Sequence, residues 1–240
     1  MIGLGANMTS SSAAAAVLST AAWQPTDLDN LALWLKNDTG VAVEQWDDSS
    51  GNDNHATQGT SGNQAAVSGG GLDFENGESD HYDLTSKIII SENQNLLMSF
   101  VVTLESISAA RCILSDATSE FIDFQTHKKI RINCSGTTTS LSMASSTFGT
   151  ASQFAVTISR NDSDTGTFVI YKDGTELSGT FGNETNAANI EFHVLGGRAG
   201  SDRFFDGIIH EVIVYDLGTN THSAGDLTNL NNYLTTKFGL

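Results

Sequence analysis

Between Asp29 and Asp216 the chain repeats one pattern: short apolar runs separated by clusters of Gly, Asn, Asp and Ser, with no proline, the chain's single one being Pro25 just ahead of it. Runs of this length bounded by turn formers suit strands and are too short for helices. The scarcity of proline leaves nearly every strand position free to pair. Leu31, Leu33 and Leu35 alternate with Ala32, Trp34 and Lys36, which predicts a strand with one apolar face. Further strands are expected over 96–104, 111–115, 121–125, 129–134, 140–144, 154–159, 167–171, 190–195 and 208–215. Asp173-Gly174 lies between two extended runs and marks a tight hairpin, because both residues tolerate positive φ. A second hairpin is expected over the polar loop 160–166. No internal repeat is visible. The pattern predicts an all-β sandwich.

The two ends read differently. Residues 1–22 are small and uncharged, with Gly3, Gly5 and a Ser/Ala run. They are expected to form a flexible leader or a docking arm, with the folded body at 23–240. The apolar stretch 13–22 is far shorter than the roughly 20 residues a bilayer span needs. No Lys or Arg precedes Lys36, so the positive start of a secretory signal is missing and no signal peptide is expected. Near the C-terminus, Ser223 and Asp226 form a capping-box pattern. Leu227, Leu230 and Leu234 then supply one apolar stripe, and Lys237 and Gly239 supply stop signals. A helix is predicted over 223–237, packed across an open sheet edge or an end of the barrel.

The 240 residues carry 11 basic and 28 acidic side chains, a formal charge of −17. That balance repels polyanions and argues against nucleic acid as a partner. Two cysteines, Cys112 and Cys134, make neither a disulfide framework nor a zinc cluster. They fall in strands read as adjacent; two buried thiols are the default, and a cross-strand disulfide stays open. The six histidines are scattered, with no H-x-H or H-E-x-x-H pair.

Three stretches carry a family resemblance: LALWLKNDTGV (31–41) leading into QWDDSSGNDNHATQ (45–58), GLDFENGESDHYDL (71–84), and FFDGIIHEVIVYD (204–216) followed by NNYLTTKFGL (231–240). In this order and spacing the chain resembles the concanavalin A-like lectin/glucanase superfamily in its laminin-G-like form, known from bacterial and phage proteins. The resemblance implies an all-β jelly roll of two antiparallel sheets, usually near 12–14 strands, with the helix appended. Within these stretches, Trp46 reads as a core anchor beneath a turn made by Asp47, Asp48, Ser49, Ser50 and Gly51. Ile209, Val212 and Val214 read as sheet-facing, with His210 and Glu211 projecting outward or pairing at the edge.

The superfamily includes glucanases with paired carboxylates on one strand face, and Glu120-Phe121-Ile122-Asp123-Phe124-Gln125 invites comparison. Residues on a strand share a face only at even spacing, so Glu120 and Asp123 point apart, and Gln125 stands where a second acid is needed. Retaining hydrolysis requires two carboxyls about 5–5.5 Å apart, and none can be assembled here. No nucleophile elbow, Walker loop or dinucleotide fingerprint is present. Gly196-Gly197-Arg198-Ala199-Gly200 precedes a strand and reads as a loop. The expectation is a non-enzyme with no cofactor; calcium is the one ion its acidic loops suit, at Asp47, Asp48 and Asp53 with Asn52 and Asn54, or at Asp80 and Asp83.

The function expected is adhesion. Asp47, Asp48, Asn52, Asp53, Asn54, Asp80, Tyr82, Arg198 and Phe204 are the candidate carbohydrate contacts, acceptors and a stacking aromatic at one end of the sandwich. Marked acidity with few lysines resembles proteins from marine or saline settings, and the MIGLGANM start followed directly by one laminin-G-like domain resembles phage structural proteins. The chain is therefore read as a virion surface protein, a capsid decoration or tail-associated component. Its leader would dock to other virion proteins, and the sandwich would self-associate and meet glycans without membrane insertion. A secreted bacterial carbohydrate-binding module, extracellular in location, is the alternative, and a divergent glycoside hydrolase the third.

Overall fold

The computed structural model describes residues 22–162 and 165–240. In chain order its strands are β1 (Leu31–Leu35), β2 (Gln45–Trp46), β3 (Ala56–Thr57), β4 (Ala66–Ser68), β5 (Gly71–Phe74), β6 (Tyr82–Ile90), β7 (Asn95–Leu104), β8 (Arg111–Ser115), β9 (Phe121–Thr126), β10 (Lys129–Cys134), β11 (Thr137–Ser142), β12 (Gln153–Arg160), β13 (Phe168–Lys172), β14 (Thr175–Glu176), β15 (Thr180–Gly182), β16 (Ile190–Leu195) and β17 (Gly207–Gly218), followed by helix α1 (Ala224–Phe238). One sheet runs β14-β13-β12-β7-β17-β5-β4, with β1 also on β17; the other runs β15-β11-β10-β9-β8-β16-β6-β3-β2. Every ladder is antiparallel. The two sheets make a jelly-roll sandwich. Its strand number exceeds the expected 12–14 because β2, β3, β4, β14 and β15 are pieces of two or three residues at the margins.

The main core lies between the sheets. Leu33 and Leu35, Trp46, Phe74, Met98, Phe100, Phe124, Phe154, Phe192, Val212 and Val214 all enter it. Trp46 is the anchor expected, its ring wholly buried and its Nε1 donating to the Lys36 carbonyl at 3.1 Å. The Asp173-Gly174 hairpin forms with φ of 49° and 75° at the two residues. The hairpin from β12 to β13 also forms.

Several expectations about faces are corrected. Leu31 does not share a face with Leu33 and Leu35: a register shift between Leu31 and Leu33 turns it to the outer side of the sheet, and Ala32 inward. His210 and Glu211 are not at an exposed edge but buried on a central strand. A bulge between Ile209 and Glu211 adds a residue, so Ile209, Val212 and Val214 face inward as expected while the two polar side chains escape the core. Cys112 and Cys134 are not on adjacent strands, since β9 lies between β8 and β10. Cys134 faces the inter-sheet core, Cys112 pairs across from Asp123, and both thiols are free and buried.

Helix α1 begins as its sequence predicts. The Ser223 hydroxyl accepts from the Asp226 amide, the Asp226 carboxylate accepts from the Ser223 amide, and Gly239 closes the helix at φ 69°. Its destination differs from the expected edge. Leu230 and Leu234 lie on the outer face of the first sheet, against Trp34, Leu97, Val101, Ala155, Ile213, Tyr215 and Leu217. β7 and β17 are therefore buried on both faces, and covering that second apolar face is what the helix is for.

Candidate functional site

The predicted carbohydrate contacts do not gather into one surface. Asp48 is a knot inside its loop: Oδ1 accepts from the amides of Trp34 and Ser50 at 2.9 Å each, and Oδ2 from the Asn54 amide at 3.0 Å and the Ser50 hydroxyl at 2.7 Å. Asn52 donates to the Leu31 carbonyl at 2.7 Å, and the Asn54 side chain accepts from the Ser86 amide at 2.8 Å. Asp47 accepts from Gln45 at 2.5 Å, and Asp53 takes a turn conformation with φ 56°. This loop is self-satisfied, which suits the Asx turns in its sequence.

Tyr82 is fully buried, its hydroxyl donating to the Val43 carbonyl at 2.7 Å, so its ring is not a stacking platform. Arg198 is clasped by Asp202 within its own loop, Nε to Oδ1 at 2.7 Å. Phe204 packs on His81 with ring centroids 5.8 Å apart, which joins its loop to the segment after Asp80. Asp83 points to solvent from β6, while Asp80 is buried. Asp123, the residue of the glucanase-like stretch, is fully buried in a double ion pair with Arg131 and Arg203, the latter at 2.8 Å. Glu120 sits just ahead of β9 and accepts from Ser119 at 2.5 Å. Guanidinium donors occupy both Asp123 oxygens, so this carboxylate is committed to its ion pairs.

Two cavities are better formed than these loops, and of their linings sequence reasoning had singled out only Asp80 as a contact, in the second. The larger, about 460 Å³, opens between helix α1 and the segment entering β1; Trp23, Gln24, Lys36, Asn229, Asn232 and Tyr233 line it, with Ala22, Thr236 and Lys237. Tyr233 is wedged edge-on between Trp23 (6.3 Å) and Trp34 (6.2 Å). Its hydroxyl donates to Glu211 Oε1 at 2.8 Å, and the same carboxylate takes the Trp34 indole N–H at 2.8 Å and the Lys237 ammonium. Burial and the adjacent Glu211 push the Tyr233 phenol well above its ordinary value, which keeps it a neutral donor. On the other side the Tyr215 hydroxyl donates to the Pro25 carbonyl at 2.8 Å, which pins the chain next to Trp23. The cleft thus has fixed aromatic walls and a rim of exposed amides from Asn229 and Asn232. No local sequence signal could have found it, because its walls are some 200 residues apart in the chain.

The second cavity, about 300 Å³, is acidic, lined by Asp73, Glu75, Glu78 and Asp80 beside Val43, Ser61, Gln64, Ala65 and Ala66. Burial first, and then repulsion from neighbouring carboxylates (Glu78 in the case of Asp80), raise the pKa values of Asp73, Glu75 and Asp80 above their ordinary values.

Two stacked antiparallel sheets with polar loops and a preformed aromatic cleft define a lectin-like binding-domain fold. A family model described as the concanavalin A-like lectin/glucanases superfamily, of laminin G type, matches residues 76–221, and the chain belongs to that family. No curated protein matches the sequence. Among solved structures the chain is similar to the binding domain of Paraclostridial Mosquitocidal Protein 1 (TM-score 0.61, 14% identity, 88% of this chain and 53% of that one). It is also similar to the receptor binding domain of botulinum neurotoxin D (0.58, 15%, 88% and 54%) and to Trypanosoma rangeli sialidase (0.59, 12%, 89% and 34%). The chain spans about half of the toxin domains and a third of the sialidase, and at these identities the likeness is one of fold. The aromatic cleft lies outside the family-matched residues, since Trp23 precedes them and helix α1 follows them.

Proposed function

We propose that this chain is a non-enzymatic glycan-binding module on a virion surface, with the cleft between Trp23 and helix α1 as its sugar site. One observation carries the reading: the cleft combines aromatic rings with the exposed amides of Asn229 and Asn232, whose side chains have no hydrogen-bond partner among the described residues. Aromatic faces pack on the apolar side of a sugar ring while amides and hydroxyls meet its hydroxyls, the mix of apolar wall and few polar groups that small-ligand sites use. Tyr233 is held in place before any ligand arrives, which limits the entropy lost on binding. The lectin-like fold and the toxin binding domains of similar fold support binding over turnover. The placement on a virion rests on the leader, residues 1–22, of which only Ala22 is among the described residues. Asp47, Asn52, Arg198 and Phe204 remain secondary candidates as separate loop contacts.

A glycan array probed with the full chain, with Trp23→Ala and with Asn229→Ala/Asn232→Ala tests the sugar site. Binding by the wild type that falls at least about tenfold in both variants, with unchanged circular dichroism, is the expected result. An array silent with and without calcium removes the glycan reading. Reducing sugar released from β-glucans by the wild type but not by Asp123→Asn would return the chain to the hydrolases. Co-sedimentation of the full chain with purified particles tests the virion placement, which failure to co-sediment overturns.

A further inference from the structure

We propose that the aromatic cleft selects acidic saccharides, sugars bearing a carboxylate or a sulfate, and that the Lys36 ammonium is the group that selects them. The inference rests on the reading of that cleft as the sugar site and names the class of sugar it takes.

The lining of the cleft runs against the charge of the chain. Acidic side chains outnumber basic ones by 28 to 11, yet among the described residues no Asp or Glu lines the cleft, while Lys36 and Lys237 do. The second cavity is the reverse, with Asp73, Glu75, Glu78 and Asp80 in its lining and no basic side chain. The acids that neighbour the cleft in sequence turn elsewhere. Asp27 accepts from the Gln24 amide at 2.8 Å, and Asp38 lies against Gly70. Residues 1–21, which lead into the cleft through Ala22, contain neither Asp nor Glu and bring no carboxylate to it.

The two lysines differ in what they have to spare. The Lys237 ammonium is bound to the buried Glu211 carboxylate and to the Tyr233 hydroxyl, the latter at 3.1 Å, so its charge is matched from within. Lys36 has no such match: among the described residues its ammonium makes no ion pair and no hydrogen bond. It is nevertheless held in place. The Lys36 carbonyl accepts the Trp46 indole N–H at 3.1 Å, which anchors the backbone just past β1. The ammonium stands over the Trp34 ring, 4.6 Å from its centroid, the geometry of a cation–π contact. Trp34 is fixed in turn by Glu211 and meets Tyr233 edge-on, so the spare charge is tied to the aromatic wall on which a sugar ring would pack.

An ammonium has three donors and no acceptor, and the strongest partners for it are anionic oxygens. In a hexuronic acid the carboxylate is one bond from the ring, and in a sulfated sugar the sulfate takes the place of a hydroxyl hydrogen. Either brings the anion to the wall beside the ring. A neutral sugar offers Lys36 only hydroxyl oxygens, which bind it less strongly. Ordering of the lysine before the ligand arrives lowers the entropy lost when the contact forms.

The test is an array of matched triplets on several hexose backbones: the neutral saccharide, the same with one hexuronic acid, and the same with one sulfate. The full chain is expected to bind acidic members about fivefold or more tighter than their neutral partners. A higher signal on the uronic acid or on the sulfated member tells which anion is the ligand. Lys36→Gln should remove the preference and Lys36→Arg should keep it, with circular dichroism and thermal melts showing that both variants fold. Lys129→Gln, the same change of charge on β10 in the other sheet, should leave the preference in place. Neutral members bound as well as acidic ones overturn this inference alone and leave the sugar site standing. A preference that survives Lys36→Gln, or that Lys129→Gln also removes, overturns it too. Silence of the whole array removes the sugar site and this inference together.

Discussion

Glu211 is fully buried, yet it gathers the Trp34 indole, the Tyr233 hydroxyl, the Lys237 ammonium and, at 3.4 Å, the Asn37 amide. Removing it strands several donors at once, so Glu211→Ala should cost about 3 kcal/mol, read by urea unfolding, whereas Glu211→Gln keeps the shape and should cost less. In the sequence Glu211 looked like an outward strand residue, because its partner Trp34 lies 177 positions away and nothing local marks the bulge beside it. Asp48 was legible by contrast, since its partners at Ser50 and Asn54 follow within six residues. The cysteines show both cases. Their burial raises both thiol pKa values, Cys134 to about 12, so neither should react with a thiol reagent at neutral pH until the protein unfolds, as a time course with and without denaturant would read. Their separation by β9 follows from strand order, which spacing along the chain does not encode.

Helix α1 divides the same way at the scale of elements. Its start and stop depend on residues within one turn, and Ser223, Asp226 and Gly239 act where the sequence put them. Ser223→Ala should lower stability by about 1 kcal/mol, whereas Leu234→Ala, buried against the outer sheet face, should lose about 2–5 kcal/mol. The larger second loss is the measurable sign that the helix holds the sheet rather than decorating it. A polar thread reinforces the contact: Ser99 bonds Thr157 at 2.8 Å and Thr157 donates to Asn231 on the helix at 2.8 Å. Strand β17 shows what pattern alone cannot supply. At Gly207, φ is 130° and a Cβ would stand 2.1 Å from the Thr103 carbonyl oxygen, so Gly207→Ala should destabilise by more than about 1 kcal/mol in the same unfolding assay. That close approach exists only because β7 lies alongside.

Over the whole molecule, charge is the quantity most exposed to test. Asp73, Glu75, Asp80 and Glu105 have folded-state pKa values above their ordinary 3.8–4.5, so between those ordinary values and the raised ones the folded state holds more protons than the unfolded. Their contribution to stability therefore grows as pH falls from neutral toward the ordinary carboxylate range. Asp202 and Asp226, lowered by Arg198 and by the helix cap, work in the opposite sense, and only as pH drops below about 4. A melting temperature that rises on mild acidification, and rises less in Asp73→Asn/Glu75→Gln, is the expected outcome. Assembly is also a whole-molecule matter: both sheet paths end in strands of two or three residues, β14 and β4, β15 and β2, whereas the five residues of β1 pair with no strand but β17 among the described residues. The sequence by itself determined the sandwich class, most strands, the Asp173-Gly174 hairpin and the capped helix, because period, turn chemistry and capping act over a few residues. Only the tertiary structure decided which sheet face the helix covers, where the bulges turn Leu31 and Glu211, that the cysteines lie apart, and that Trp23 meets Tyr233 and Asp73 meets Glu105. Each of those depends on contacts between distant segments, and their geometry exists only once the two sheets have closed.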